Sequence, residues 1–214
     1  MTASRVEAEL KYTARDERPL NQLAVVEALG PASLGPANTV RELDRYLDTA
    51  DLRLEAVHWA CRLRSREGRT ILSLKGPAEH LRGEVLHRRA EVEGPAGPGL
   101  DPNAWAPSPA RDNLAAMTGG APLVERFALE QDRTERTVHL AADQVGGLSL
   151  DRVRVLHRGA EVGRMFVVEL ELDAAVADSD FDPGALATAL SAVDGLLPDP
   201  ASKLERALRM LPAS

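Results

Sequence analysis

Polar and less polar side chains alternate along much of the chain, and the alternation divides it into about eight strands. Residues Arg5 to Thr13 (RVEAELKYT) carry the period-2 pattern of a strand with two unlike faces. Leu20, Leu23, Val26 and Leu29 then recur at helical spacing, which predicts a helix over Pro19 to Leu29, stopped by Gly30-Pro31. Alternation returns from Val40 to Asp51. HWACRLRSREGRTILSLKGP reads as two strands folded about Glu67-Gly68, and Gly83 to Glu93 as another. The Pro- and Gly-rich segment Gly94 to Asp112 reads as a surface connection between two halves, followed by a short helix around Asn113 to Met117. Strands resume in ERFALEQDRTERTVHLA, GGLSLDRVRVL and GRMFVVELELD. Two helices close the pattern, Pro183 to Val193 and Pro200 to Leu211, the second amphipathic through Leu204, Leu208 and Leu211.

Composition narrows the picture only a little. The 214 residues hold 33 Asp and Glu against 26 Lys and Arg, a formal charge of −7. That balance argues against general affinity for duplex nucleic acid, which rewards basic patches, but not against a small polyanion held by local charge. No run reaches the length of a membrane helix, and MTASRVEAELKY is charged where a signal peptide would be apolar. Cys61 stands alone, which excludes an internal disulfide framework and a cysteine-rich zinc site. The expectation is a cytoplasmic protein, monomeric or homodimeric, in which residues 1–214 form a single domain.

What changes the picture is the content of the polar faces. Strand after strand places full charges at positions i and i+2, and such pairs project from one face. Glu7, Glu9 and Lys11 come first, then Tyr46 with Asp48, Arg62 with Arg64, Ser73 with Lys75, and Arg89 with Glu91 and Glu93. Beyond the connection stand Arg133 and Arg136, Asp151, and Glu169 with Glu171. The last pair lies in strongly apolar company, MFVVELELD, where two carboxylates are costly unless cations compensate them. The fold that gathers all these faces is α+β, mainly β: an eight-stranded antiparallel closed barrel with its charged side inward and helices at its periphery.

Inside such a barrel Glu7, Glu9, Glu169 and Glu171, with Asp151, Glu91, Glu93 and Asp48, supply carboxylate oxygens. Oxygen ligands without His or Cys select hard ions, Mg²⁺ or Mn²⁺. Lys11, Arg62, Arg64, Lys75, Arg89 and either Arg133 or Arg136 supply fixed cations, the equipment for a phosphate-bearing polyanion. Divalent ion, basic clamp and polyanion together are the apparatus of phosphoryl transfer. There is no P-loop glycine motif, so side chains must hold the phosphates.

These residues resemble the CYTH superfamily, the triphosphate tunnel metalloenzymes. The resemblance runs through Glu7-Ala8-Glu9-Leu10-Lys11 (the E-x-E-x-K signature), RYLDT, the Arg62-x-Arg64 pair, LSLKGP with Lys75 and RRAEVE with Arg89, Glu91 and Glu93. It continues through DRTER, LSLDRV with Asp151, VVELEL with Glu169 and Glu171, and SKLERAL with Lys203. It implies a tunnel that binds a triphosphate with divalent metal. Glu7 and Glu9 would hold one ion, Glu169 and Glu171 a second ion or the attacking water, and Asp151 an additional ligand position. Lys11, Arg62, Arg64, Lys75, Arg89, Arg136 and Lys203 would grip the phosphates. DRTER departs from the family's usual basic-x-Arg pair: Arg133 and Arg136 are three apart, so one of them points outward.

Within the superfamily the phrasing is most similar to the inorganic triphosphatase branch, often fused to a CHAD domain, for which the chain has no room. Hydrolysis of inorganic triphosphate is therefore expected. A class IV adenylyl cyclase and a thiamine triphosphatase are alternatives, as is a non-catalytic polyphosphate-binding module. Only 3% of the chain is aromatic, which leaves little to stack on an organic ring. Trp59 is on the opposite face from Arg62, and Trp105 is in the connection. Tyr46 is balanced between packing and, as the resemblance implies, assisting proton transfer with Lys11. His58, His80, His87, His139 and His157 have no ligand spacing and read as surface or strand-end residues, and Cys61 as a buried apolar one.

Overall fold

The computed structural model describes residues 5–80, 86–177 and 181–212. The elements run β1 (Arg5–Ala14), α1 (Arg18–Val25), β2 (Ala28–Leu29), β3 (Ala32–Leu34), β4 (Asn38–Thr49), α2 (Arg53–Ala56), β5 (Ala60–Arg66) and β6 (Arg69–His80). They continue with β7 (Leu86–Ala96), α3 (Pro109–Thr118), β8 (Leu123–Leu140), β9 (Asp143–His157), β10 (Ala160–Leu172), α4 (Ala174–Ala177), α5 (Gly184–Ser191), β11 (Leu196–Pro198) and α6 (Lys203–Leu208). Eight antiparallel strands in the order β8-β4-β5-β6-β7-β1-β10-β9 close when β9 pairs back onto β8. The β2–β3 hairpin extends the sheet beside β8, and β11 beside β1. Closure leaves the barrel without a free edge. Among the described residues no helix is long and apolar enough to cross a membrane.

Strand parity decides what lies inside. On β1 the even residues Ala8, Leu10 and Tyr12 point outward and pack under α1, α4 and α5 with Leu20, Leu23, Ala177, Leu186 and Leu190. On the other flank Cys61, Leu63, Leu72, Leu74 and Val92 pack outward beneath Leu54 of α2, Trp105, and Ala110 and Leu114 of α3. Two apolar cores thus clothe the barrel's outer wall, each fully buried Leu or Val contributing about 1.5–3 kcal/mol. A third core is internal. Phe127 and Leu129 share parity with Arg133, Val153 and Val155 with Asp151, and Met165 and Val167 with Glu169; with Tyr46 and Ala207 they fill one end of the bore. Leu204, Leu208 and Leu211 of the α6 segment pack onto that plug.

The hairpin expected at Glu67-Gly68 is present: both residues have positive φ (50° and 76°), as a two-residue turn between twisted strands requires, and Arg66 faces Arg69. One expectation needs correction and another gains detail. The helix predicted over Pro19 to Leu29 ends at Val25, and Gly30-Pro31 turns the β2–β3 hairpin instead of merely stopping a helix. The Gly94–Asp112 segment runs over the surface as expected, but it is anchored to the barrel. β7 continues through Ala96, Trp105 is 3% exposed with its indole N–H donating to the Gly99 carbonyl at 3.1 Å, and Ser108 caps α3. Residues 83–85 of the predicted Gly83–Glu93 strand lie outside the described residues.

Gly146 on β9 sits against β10 so closely that an added Cβ would come within 2.2 Å of the Glu171 carbonyl oxygen. Because the obstacle is backbone, Gly146→Ala must displace the strand that carries Glu169 and Glu171. A loss of about 1–3 kcal/mol in urea unfolding is expected.

Candidate active site

The inward residues of the unplugged stretch line a cavity of about 610 Å³. Three clusters of opposed charge build its wall. In the first, β1 meets β6 and β7: Glu7 accepts from Lys75 Nζ and Arg89 Nε, both at 2.6 Å. Glu9 accepts from Arg89 at 3.1 Å and pairs with Lys11 at 2.9 Å. Glu91 adds a contact to Lys75 at 3.1 Å. In the second, β8, β9, β10 and α6 converge. Asp151 takes a two-pronged bond from Arg133, each prong 2.8 Å, and one from Lys203 Nζ at 2.5 Å. Lys203 also donates to Glu169 at 2.6 Å, with Arg133 3.4 Å away. Lys203 opens α6, whose Ser202–Glu205 capping box fixes the helix start, so the lysine is delivered into the bore from the plug.

The third cluster is one that strand alternation signals but the expectations above omit. Glu42 and Asp44 share the inward parity of Tyr46 on β4, and both carboxylates are shut off from solvent. Arg64 binds Asp44 through two bonds of 2.7 Å, Gln131 bridges Asp44 and Glu42 at 3.0 Å, and Arg62 lies 3.5 Å from Asp44. Arg66 reaches Glu42 and Glu135. Arg62 also donates to Ser73 (3.2 Å), which donates to Glu93.

Register brings the two E-x-E pairs together: Glu9 is opposite Glu171 and Lys11 opposite Glu169 across β1 and β10. Side chains of directly opposed residues are neighbours on one face. Tyr46 stacks on Phe127 with ring centroids 4.8 Å apart, at the boundary between plug and charged bore. The structure therefore gathers Glu7, Glu9, Lys11, Tyr46, Arg62, Arg64, Lys75, Arg89, Glu91, Glu93, Arg133, Glu169, Glu171 and Lys203 around one space, with Ser73 and Asp151 immediately behind it.

Two expected members border the cavities but have their charged groups engaged elsewhere. Asp48 accepts from the backbone N–H groups of Thr49, Leu54 and Glu55 and so pins α2 to the end of β4. Arg136 is the member of DRTER that turns outward. It donates to the carbonyls of Leu23, Val26, Leu34 and Gly35, closing the C-terminal end of α1 and the β2–β3 hairpin. Arg136→Met is expected to cost about 1–3 kcal/mol in stability by stranding those carbonyls, with no change in affinity for a phosphate ligand measured by calorimetry. His87 is at the start of β7, one of the strand-end places expected for the histidines, and is buried there.

Burial raises the carboxyls of Glu7, Asp44, Asp151 and Glu169, but the cations beside them outweigh it and hold all four below the usual carboxylate range. Lys75 is pulled below the ordinary lysine value by burial, Arg89 and Arg62, which outweigh Glu7 and Glu91. Burial pushes the Cys61 thiol up to about 12, in keeping with an inert apolar role. The four depressed carboxyls set the sign of acid sensitivity. Unfolded, they take up protons near pH 4; folded, they resist. Their stabilisation is complete above that range and is lost as pH falls through it toward the folded values. The urea midpoint should fall steadily between about pH 5 and pH 3.

The donor set suits a hard divalent ion: every candidate ligand is a carboxylate oxygen, and Glu9 and Glu171 face one another in register. Among the described residues, however, no three acidic, His or Cys side chains already converge on one point.

A closed barrel whose bore carries opposed rows of carboxylates, lysines and arginines defines a charge-lined tunnel protein. The family model of the CYTH domain matches residues 5–208, and the chain belongs to that family. No curated protein sequence matches it. Among solved structures it is similar to the Hippeastrum protein HpAC1, a candidate adenylyl cyclase with a dominant triphosphatase activity (TM-score 0.67, 19% identity, 95% of each chain covered). It is also similar to a candidate adenylate cyclase of Bacillus halodurans (TM-score 0.60, 18% identity, 94% of this chain and 97% of that one). A third is the PH1819 protein of Pyrococcus horikoshii OT3 (TM-score 0.51, 13% identity, 94% and 98% covered). At these identities the likeness is one of fold.

Proposed function

We propose that the chain hydrolyses a triphosphate, inorganic triphosphate first, to pyrophosphate and phosphate within the bore. The observation that carries this reading is the arrangement of Lys11, Arg62, Arg64, Lys75, Arg89, Arg133 and Lys203 around one cavity that also holds the facing carboxylates Glu9 and Glu171. Seven cations from five strands and a helix would surround a chain of phosphates and stabilise the charge that builds on the oxygens of the group in transit. Glu7, Glu9, Glu169 and Glu171, with Asp151, would hold Mg²⁺ or Mn²⁺, which supplies charge neutralisation at the phosphate oxygens when bound. Glu169 and Glu171 would orient the attacking water. Tyr46, whose phenol burial pushes up, keeps its proton at the boundary between plug and bore. HpAC1's triphosphatase activity agrees with this reading.

A second cavity of about 380 Å³ favours one alternative. It shares Lys11, Tyr46, Lys75 and Arg89 with the first and adds Trp59, His58, Pro77 and Leu208, a wall on which an organic group could rest. Trp59 is thus within reach of the bore's cations although it sits on the opposite strand face from Arg62. This wall suits a triphosphate ester.

The test is a phosphate-release panel with triphosphate, long-chain polyphosphate, ATP and thiamine triphosphate, each with and without Mg²⁺ or Mn²⁺. Highest kcat/KM on inorganic triphosphate supports the first reading. A much higher value on an ester, or cyclic AMP from ATP, replaces it with the second. Calorimetric binding without product would reduce the protein to a polyphosphate-binding module.

A further inference from the structure

The carboxylates assigned to a metal are also the counter-ions of the phosphate clamp. Glu7 lies between Lys75 and Arg89, Glu9 between Arg89 and Lys11, and Asp151 and Glu169 both between Arg133 and Lys203. All of these side chains are at least four-fifths buried. A divalent ion arriving alone must draw a carboxylate away from a lysine or arginine and leave that cation buried without its partner. A triphosphate arriving alone must do the reverse. Stranding one member of a buried pair is the costly event, whereas exchanging both partners at once strands nothing.

We infer that the bore is a reciprocal lock: free divalent cation binds it poorly, and cation and polyphosphate each open the place the other takes. This rests on the triphosphate reading above, and it concerns the order and coupling of binding, not the chemistry. Linkage makes the effect symmetrical, so the anion must tighten the cation as much as the cation tightens the anion.

One consequence runs against intuition. Removing a lysine of the phosphate clamp should improve metal binding in the absence of any phosphate, because it releases the carboxylates that lysine occupies. The experiment is a Mn²⁺ titration of the whole chain, followed by the electron paramagnetic resonance signal of free Mn²⁺. It compares wild type, Lys75→Gln, Lys203→Gln and the outer-wall control Arg45→Gln, whose side chain pairs with Glu125. Lys75→Gln and Lys203→Gln are expected to bind Mn²⁺ at least about tenfold more tightly than wild type, the floor for removing a unit charge a few ångström away. Arg45→Gln should leave the affinity unchanged. Adding imidotriphosphate to wild type should tighten Mn²⁺ beyond what chelation measured without protein accounts for.

Thermal melts establish which variants fold, and the wild-type arm needs none of them. No gain in the folded lysine variants, an equal gain in Arg45→Gln, or no coupling in wild type would overturn the lock. No arm reads turnover. Coupling without phosphate release sinks the hydrolysis reading and leaves the lock; release without coupling does the opposite.

Discussion

Replacing Glu9 or Glu171 with glutamine lowers triphosphate turnover at least about 100-fold in a variant that still folds, the scale expected when a charge that positions a metal or its substrate is removed from a buried site. These two residues are chosen because register places them opposite each other on β1 and β10. Glutamine keeps the volume and the hydrogen-bonding reach while removing the charge, so packing is little disturbed. The comparison is kcat and KM from phosphate release at saturating Mg²⁺ or Mn²⁺, with far-ultraviolet circular dichroism as the fold control. A fall in kcat with little change in KM marks an interaction realised in the transition state. Unchanged turnover in folded protein would reject both residues as metal ligands.

The second large effect is on stability. Asp151 is wholly buried and is the shared acceptor for Arg133 and Lys203. Asp151→Ala leaves two buried cations to share Glu169, with Glu42 at 3.7 Å from Arg133. The expected loss is about 3–5 kcal/mol in urea unfolding, the usual result of removing one partner from a buried ionic group. Polyphosphate should restore part of it: a ligand at about 100 times its Kd adds about 2.7 kcal/mol. A loss well under 1 kcal/mol, or no rescue, would show that Arg133 and Lys203 do not depend on Asp151.

The strands and their inward faces were readable because a barrel strand obeys one rule, period 2, from end to end. Glu7, Glu9 and Lys11 obey it on β1, and Glu169 and Glu171 on β10. Glu42 and Asp44 obey it too, and were passed over only because RELDRYLDT offers charges on both parities: Arg41 and Arg45 point out to Asp132 and Glu125. The three-residue step from Arg133 to Arg136 says that one turns outward but not which; the carbonyls at the end of α1 decide it, and they are distant in sequence. Asp48 has inward parity yet is captured by the backbone of α2, a turn too short to show a helical period. The Pro-rich segment 94–112 reads correctly as a surface connection, but its anchoring through Trp105 and Ala110 on strands β5 to β7 is not legible in local composition.

The position of β1 has a consequence for biogenesis. The strand bearing Glu7, Glu9 and Lys11 is made before both of the strands it is slotted between, β7 and β10. One of its final neighbours, β10, lies far along the chain, so the ring cannot shut before that strand is made and folding is dominated by distant pairings, which are slow. A chain that still lacks β10 has no closed bore, so the charged wall is completed only when that strand docks.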